Sequence, residues 1–136
     1  MPNKVVRIII DTNLWISFLI TKDLSKLDKL LLKNTVRLVF SQELLDEFLE
    51  VVQRPKFKKY FSQSDIISIL ATINDYADFV DVKSVMQLCR DEKDNFLLAL
   101  AVDSNADYLF TGDLDLLELK TVGNTAIVQL SKYLNQ

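Results

Sequence analysis

Val5-Val6-Arg7-Ile8-Ile9-Ile10-Asp11-Thr12-Asn13 decides how this chain folds. Five of its first six residues are apolar and β-branched, the composition of a strand covered on both faces. The run stops at a carboxylate, and Leu14-Trp15-Ile16-Ser17-Phe18-Leu19 continues with helical spacing. A strand that turns straight into a helix puts Asp11 at the carboxyl edge of a parallel sheet, where open α/β sheets bind their ligands. Asp11 or Thr12 could equally be a simple helix cap. On this stretch alone the two accounts are evenly matched.

Outward from it, strands and helices alternate. Leu24, Leu27, Leu30 and Leu31 give Asp23 to Lys33 an amphipathic helical pattern, ended by Asn34. Val36 to Phe40 reads as a second strand, and Ser41 can cap a helix reaching Gln53, since Pro55 disfavours helical geometry at Arg54. A short helical piece is expected near Lys56 to Tyr60. Ser64 can cap a helix with Ile66, Ile67, Ile69, Leu70, Ile73 and Tyr76 as its apolar stripe. Phe79 to Val82 is a third strand, Asp94 to Asp103 a central apolar helix, and Asp107 to Phe110 a fourth strand. A helical turn over Leu114–Leu117, a strand over Ala126–Val128 and a helix from Gln129 complete the series. This alternation predicts an α/β chain with a parallel sheet of four to five strands covered by helices on both faces. With 136 residues, two Gly and two Pro, it is expected to form one domain over residues 1–136.

Composition narrows the chemistry. No apolar run approaches the roughly 20 residues of a membrane span, and no secretory leader is evident. A lone Cys89 forms no internal disulfide, which fits a cytoplasmic protein. The chain has no histidine, which removes Ser-His-Asp and Cys-His catalysis and His-assisted RNA cleavage. Zinc, which draws on Cys and His, is disfavoured, and a bound metal would need oxygen ligands, as Mg2+ or Mn2+ does. The formal net charge of −3 is not that of a general nucleic-acid binder. Two basic runs stand against it: Arg54, Lys56, Lys58 and Lys59, interleaved with Phe57, Tyr60 and Phe61, and Lys22, Lys26, Lys29 and Lys33. Either run could grip phosphates or merely be a solvated face.

Acids recur at strand ends and helix starts. Asp11 ends the first strand. Glu43, Asp46, Glu47 and Glu50 lie on the helix after Ser41, Asp91 and Asp94 open the apolar helix, and Asp113 and Asp115 follow the fourth strand. Capping and the helix dipole account for several singly. Glu47 fits less well, because its neighbours Leu44 and Val51 put it at the edge of the apolar stripe. Convergence of these acids at one sheet edge by accident is improbable. Two carboxylates about 4 Å apart repel by roughly 4 kcal/mol at an effective dielectric of 20, so a cluster should retain a proton or hold a hard cation.

Four motifs in order resemble the PIN (PilT N-terminus) domains. They are Asp11-Thr12-Asn13, Glu47 within Ser41 to Glu47, Asp94 in Asp91-Glu92-Lys93-Asp94-Asn95-Phe96, and Thr111-Gly112-Asp113-Leu114-Asp115. They extend from residue 6 to about 132, and Glu50-Val51-Val52-Gln53-Arg54-Pro55 is similar to the branch of toxins of toxin–antitoxin pairs. The resemblance implies a Rossmann-like, three-layer α/β/α sandwich and a Mg2+- or Mn2+-dependent endoribonuclease that leaves 5′-phosphate and 3′-hydroxyl ends. By motif match Asp11, Glu47, Asp94 and Asp113 would be catalytic, and Asp11, Asp94, Asp113 and Asp115 would bind metal. Thr12, Asn13 and Thr111 would support them, and Arg54, Lys56, Lys58 and Lys59 would hold RNA. An antitoxin partner and a homodimer are also implied, with the leucine-rich stretches 24–32 and 44–52 as candidate surfaces, although core packing accounts for both stretches equally well. A non-catalytic PIN-like binding module, or a partner-regulated RNA-binding protein, shares every motif. A phosphotransfer domain fits worse, because Asn13 stands where a dehalogenase-like phosphatase carries a second Asp.

Overall fold

In the computed structural model, which describes residues 5–21 and 35–135, the first apolar run forms β1 (Val5–Ile10) at the middle of the sheet. Ile8, Ile9 and Ile10 are almost wholly buried although alternate side chains point to opposite faces, so both faces of the sheet are covered there. The remaining elements are α1 (Thr12–Thr21), β2 (Thr35–Phe40), α2 (Gln42–Val52), a 3-10 turn (Pro55–Phe57), α3 (Gln63–Tyr76) and β3 (Ala77–Phe79). They continue with α4 (Glu92–Ser104), β4 (Tyr108–Phe110), α5 (Leu114–Leu117), β5 (Thr121–Val122), β6 (Thr125–Val128) and α6 (Leu130–Leu134). The sheet order is β3-β2-β1-β4-β6-β5, parallel except for β5. The chain winds one way from β1 to β3 and the other way from β4, so the switch of direction lies between β1 and β4. Ile10 pairs with Phe110 there, which sets Asp11 beside Thr111. The mixed α/β architecture with a mostly parallel sheet is the one expected from the sequence.

Four details differ from expectation. The sheet has six strands, because Gly123-Asn124 joins β5 to β6 as a two-residue hairpin. Gly123 takes φ +55°, a conformation that costs glycine little, and Gly-Asn between Val122 and Thr125 was the available signal. The cap of α3 is Ser62 and not Ser64: Ser62 Oγ accepts from the Asp65 N–H and Asp65 accepts from the Ser62 N–H, a reciprocal capping box. β3 lies two residues earlier than Phe79–Val82, over Ala77–Phe79, where Asp78 is gripped from the neighbouring strands. Arg37 Nη2 reaches Asp78 Oδ1 at 2.8 Å and Arg7 Nη1 reaches Oδ2 at 3.3 Å, tying β1, β2 and β3 together. The Arg37 hydrogen bond holds the Asp78 carboxyl below the usual carboxylate range. Finally, α2 spends Leu44, Phe48, Val51 and Val52 on the core, so stretch 44–52 presents less apolar surface than expected. The proposed helix over 23–33, the surface at 24–32 and the lysines at 22, 26, 29 and 33 lie outside the described residues.

The core beneath the switch point is aromatic. Trp15 meets Phe40 and Phe48 at ring separations of 6.4 and 6.3 Å, joining α1, β2 and α2. On the other side of β1, Tyr133 of α6 packs on Tyr108 and Phe110 of β4. Packed rings therefore hold α1, which follows Asp11, and β4, which precedes Thr111 and Asp113.

Candidate metal centre

Asp11 is the first acid at the switch point. Its backbone N–H donates to Phe110 O at 3.0 Å, extending the β1–β4 ladder by one residue. Thr111, buried at the end of β4, donates its hydroxyl to Asp11 Oδ2 at 2.8 Å and accepts the Asp113 N–H at 3.0 Å. One hydroxyl thus sets two acids. The Asn13 N–H donates to Asp11 Oδ1 at 3.4 Å, whereas the Asn13 side chain is exposed. Burial raises the Asp11 pKa, the Thr111 hydrogen bond opposes the rise, and Asp113 adds repulsion.

The tightest grouping comes from α4 and the loop after β4. Asp94, Asp113 and Asp115 each place a carboxylate oxygen within 4.8 Å of the others. Asp94 is 7% exposed, while Asp115 is open to solvent. The Asp94 carboxyl is pushed up to about 7, first by burial, then by repulsion from Asp113 and by a hydrogen bond to Asp113 that only a protonated group can donate. Asp91 and Asp11 add further repulsion. Local geometry fixes each acid: Asp91 caps α4 by accepting the Lys93 N–H at 2.9 Å, and Asp113 caps α5 by accepting the Asp115 N–H at 2.9 Å. The capping account and the cluster account therefore both hold, with one residue performing both tasks.

Glu47 lies outside that triad but belongs to the same charge field. Half-buried on α2, it has its pKa raised by burial and, less strongly, by Asp11 and Asp91. Lys93 opposes the rise, with Nζ 3.8 Å from Glu47 Oε1. The Thr12 hydroxyl nearby also lowers the Glu47 pKa, yet it is buried without a well-formed hydrogen-bond partner. The sequence did not single out Lys93; its position directly before Asp94 was the available signal. Arg90 is a second cation at the rim, 3.9 Å from Asp115.

The donor set is all oxygen, with a buried acid that resists ionisation and a buried hydroxyl lacking a partner. Those features fit a hard divalent cation, whose charge would relieve the repulsion among Asp94, Asp113 and Asp115. Asp11 joins them through Thr111, and Glu47 flanks them beside Lys93.

The loop between β3 and α4 is fastened at both ends. Asp103 accepts the N–H groups of Lys83 and Ser84 at 2.6 and 2.9 Å and also the Ser84 hydroxyl. Asn95, 4% exposed, accepts the Cys89 N–H and donates to the Cys89 carbonyl, both at 2.9 Å. The Cys89 thiol is pushed up by burial and by nearby acids, which disfavours the reactive thiolate. Among the expected RNA-binding cations, Arg54 is engaged by Glu50 in a two-pronged contact at 3.1 and 2.9 Å. Lys56 and Lys59 lie over the rings of Phe57 and Tyr60, and with Lys58 they have no carboxylate partner among the described residues.

Known proteins share this chain's sequence pattern and fold. A PIN domain family model matches residues 7–115. An uncharacterised protein of Methanocaldococcus jannaschii is 30% identical over 118 residues, covering 85% of this chain and 76% of that protein. The crystal structure of VapBC2 from Rickettsia felis, bound to a DNA fragment from its promoter, contains a chain of similar fold with a TM-score of 0.62. That similarity covers 91% of this chain and 98% of the other at 16% identity. With the match running from β1 through the acids after β4, the chain belongs to the PIN domain family.

Proposed function

We propose that this protein is a Mg2+- or Mn2+-dependent endoribonuclease and the toxin of a toxin–antitoxin pair. One observation supports the reading: Asp94 of α4 and Asp113 and Asp115 after β4 bring carboxylate oxygens within 4.8 Å of one another, inside the charge field of Asp11 and Glu47, in a chain with no histidine. Membership in the PIN family supports nuclease chemistry, and the likeness to a VapBC2 chain supports an antitoxin partner. In this reading Asp94, Asp113 and Asp115 would hold the cation, with Asp11, positioned by the Thr111 hydroxyl, beside them. When bound, the cation supplies charge neutralisation at phosphorus and acidifies water near neutral pH. Glu47, kept less acidic by burial, accepts a proton from the attacking water, and Lys93 fixes its position. Lys56, Lys58 and Lys59 attract the RNA backbone.

The test is an RNA digest with Mg2+ or Mn2+, alone and with EDTA, using the wild type and Asp94→Asn. The expected result is cation-dependent cleavage leaving 5′-phosphate ends, abolished in a well-folded variant. Full activity of Asp94→Asn would reject the site. RNA binding without cleavage under every cation condition would instead establish the non-catalytic, partner-regulated reading.

A further inference from the structure

Next to the acids, on the side of α1 and α6, lies a cleft of about 430 Å3. It shares Thr111 and Gly112 with the site, so its inner end is the hydroxyl that orients Asp11. No charged side chain lines it. Leu14, Phe18 and Leu130 give it apolar walls, while Ser17, Gln129 and Ser131 bring hydroxyl and carboxamide groups that make no side-chain hydrogen bond among the described residues. At Gly112 the mouth is open, because a Cβ there would meet nothing within 4 Å.

We infer that this cleft receives a nucleobase of the RNA, next to the phosphate placed at the acids, and selects it through Ser17 and Gln129. The inference rests on the nuclease reading and adds where base preference arises. Its volume lies within the roughly 300–1,000 Å3 of small-molecule clefts, which combine mostly apolar walls with a few directing polar groups. A phosphate would require cations that the lining lacks. A flat heterocycle has an apolar face for Phe18 and the leucines, and an edge of donors and acceptors for a carboxamide and hydroxyls. Proteins read unstacked RNA bases by such edge contacts. A carboxamide that a bound base covers also discriminates, because a mismatched base leaves its donor or acceptor unpaired.

The experiment maps cut sites in an RNA pool randomised at every position, for the wild type, Gln129→Ala and Ser17→Val. Hydrolysis of bis(p-nitrophenyl) phosphate, which has no base, reports the acids alone. The wild type should prefer one base at a single position adjoining the cut. Each variant should flatten that preference about tenfold and raise KM for RNA, with hydrolysis of the baseless ester unchanged. A wild type without base preference, or a preference that both variants keep, overturns the inference while leaving the nuclease reading intact. If the wild type cuts no RNA with either cation, the nuclease reading fails, and the cleft is tested by NMR titration with the four nucleoside 5′-monophosphates. Base-dependent shifts at the Ser17, Gly112 and Ser131 amides would then support it, and their absence would overturn it.

Discussion

Replacing Asp94 with Asn should stabilise the cation-free protein at pH 8 and remove its ability to be stabilised by the cation. Folding carries the Asp94 carboxyl from an ordinary 3.8 up to about 7. The folded state thus binds the proton more tightly than the unfolded chain. This stabilising contribution is complete below about pH 4 and is lost as pH rises toward 7. A shift of about three pH units corresponds to roughly 4 kcal/mol. Solvent reaches the site on the Asp115 side and screens the repulsion, so about 2 kcal/mol is the appropriate expectation. Asn cannot ionise and escapes the penalty. It gives up a favourable charge in the first turn of α4, worth roughly 0.5 kcal/mol.

Thermal unfolding at pH 5 and pH 8, with EDTA or with millimolar Mn2+, measures all of this. With EDTA the Tm difference (variant minus wild type) should increase by about 4 °C from pH 5 to pH 8, because part of the contribution is already lost at pH 5. Mn2+ should raise the wild-type Tm and leave the variant nearly unmoved, since a ligand stabilises only the state that binds it. A Tm difference that stays constant between pH 5 and pH 8 would refute the repulsion argument.

Other substitutions probe the supports. Thr111→Val should cost about 1–2 kcal/mol, because it strands Asp11 and the Asp113 N–H, and should lower kcat, with Thr111→Ser restoring both in denaturation and turnover assays. Asn95→Ala should cost about 2–3 kcal/mol by leaving the Cys89 amide and carbonyl unpaired, and faster hydrogen exchange at residues 85–91 would report it. Lys93→Gln should lift the acid limb of the pH–rate profile to higher pH, because Glu47 loses the cation that opposes its raised pKa; an unmoved limb would remove Glu47 from the proton-accepting role. Combined substitution of Lys56, Lys58 and Lys59 by Gln should reduce the slope of log binding constant against log salt by about 2 for single-stranded RNA, with kcat at saturating RNA unchanged.

The sequence by itself determined which segments are strands and helices around the site, and that Asp11, Asp94, Asp113 and Asp115 sit at element boundaries while Glu47 lies within a helix. Both are local matters: apolar period distinguishes a strand from a helix, and a carboxylate at a helix start is favoured by the first-turn N–H groups. The absence of histidine likewise limited the chemistry before any fold was known. Asp11, Asp94 and Asp113 were legible for these reasons. The tertiary structure decided which acids meet. Periodicity reports the face a residue shows, not the strand beside it, and Asp11 meets Thr111 only because β4 crosses over to pair with β1. It also separated the Asp94, Asp113 and Asp115 triad from Glu47 and gave Glu47 its partner Lys93, 46 positions away in sequence. The β5–β6 edge, the Asp78 clamp and the uncharged cleft beyond Gly112 arise in the same way. Each depends on side chains distant in sequence, whose distances are set by strand order and core packing.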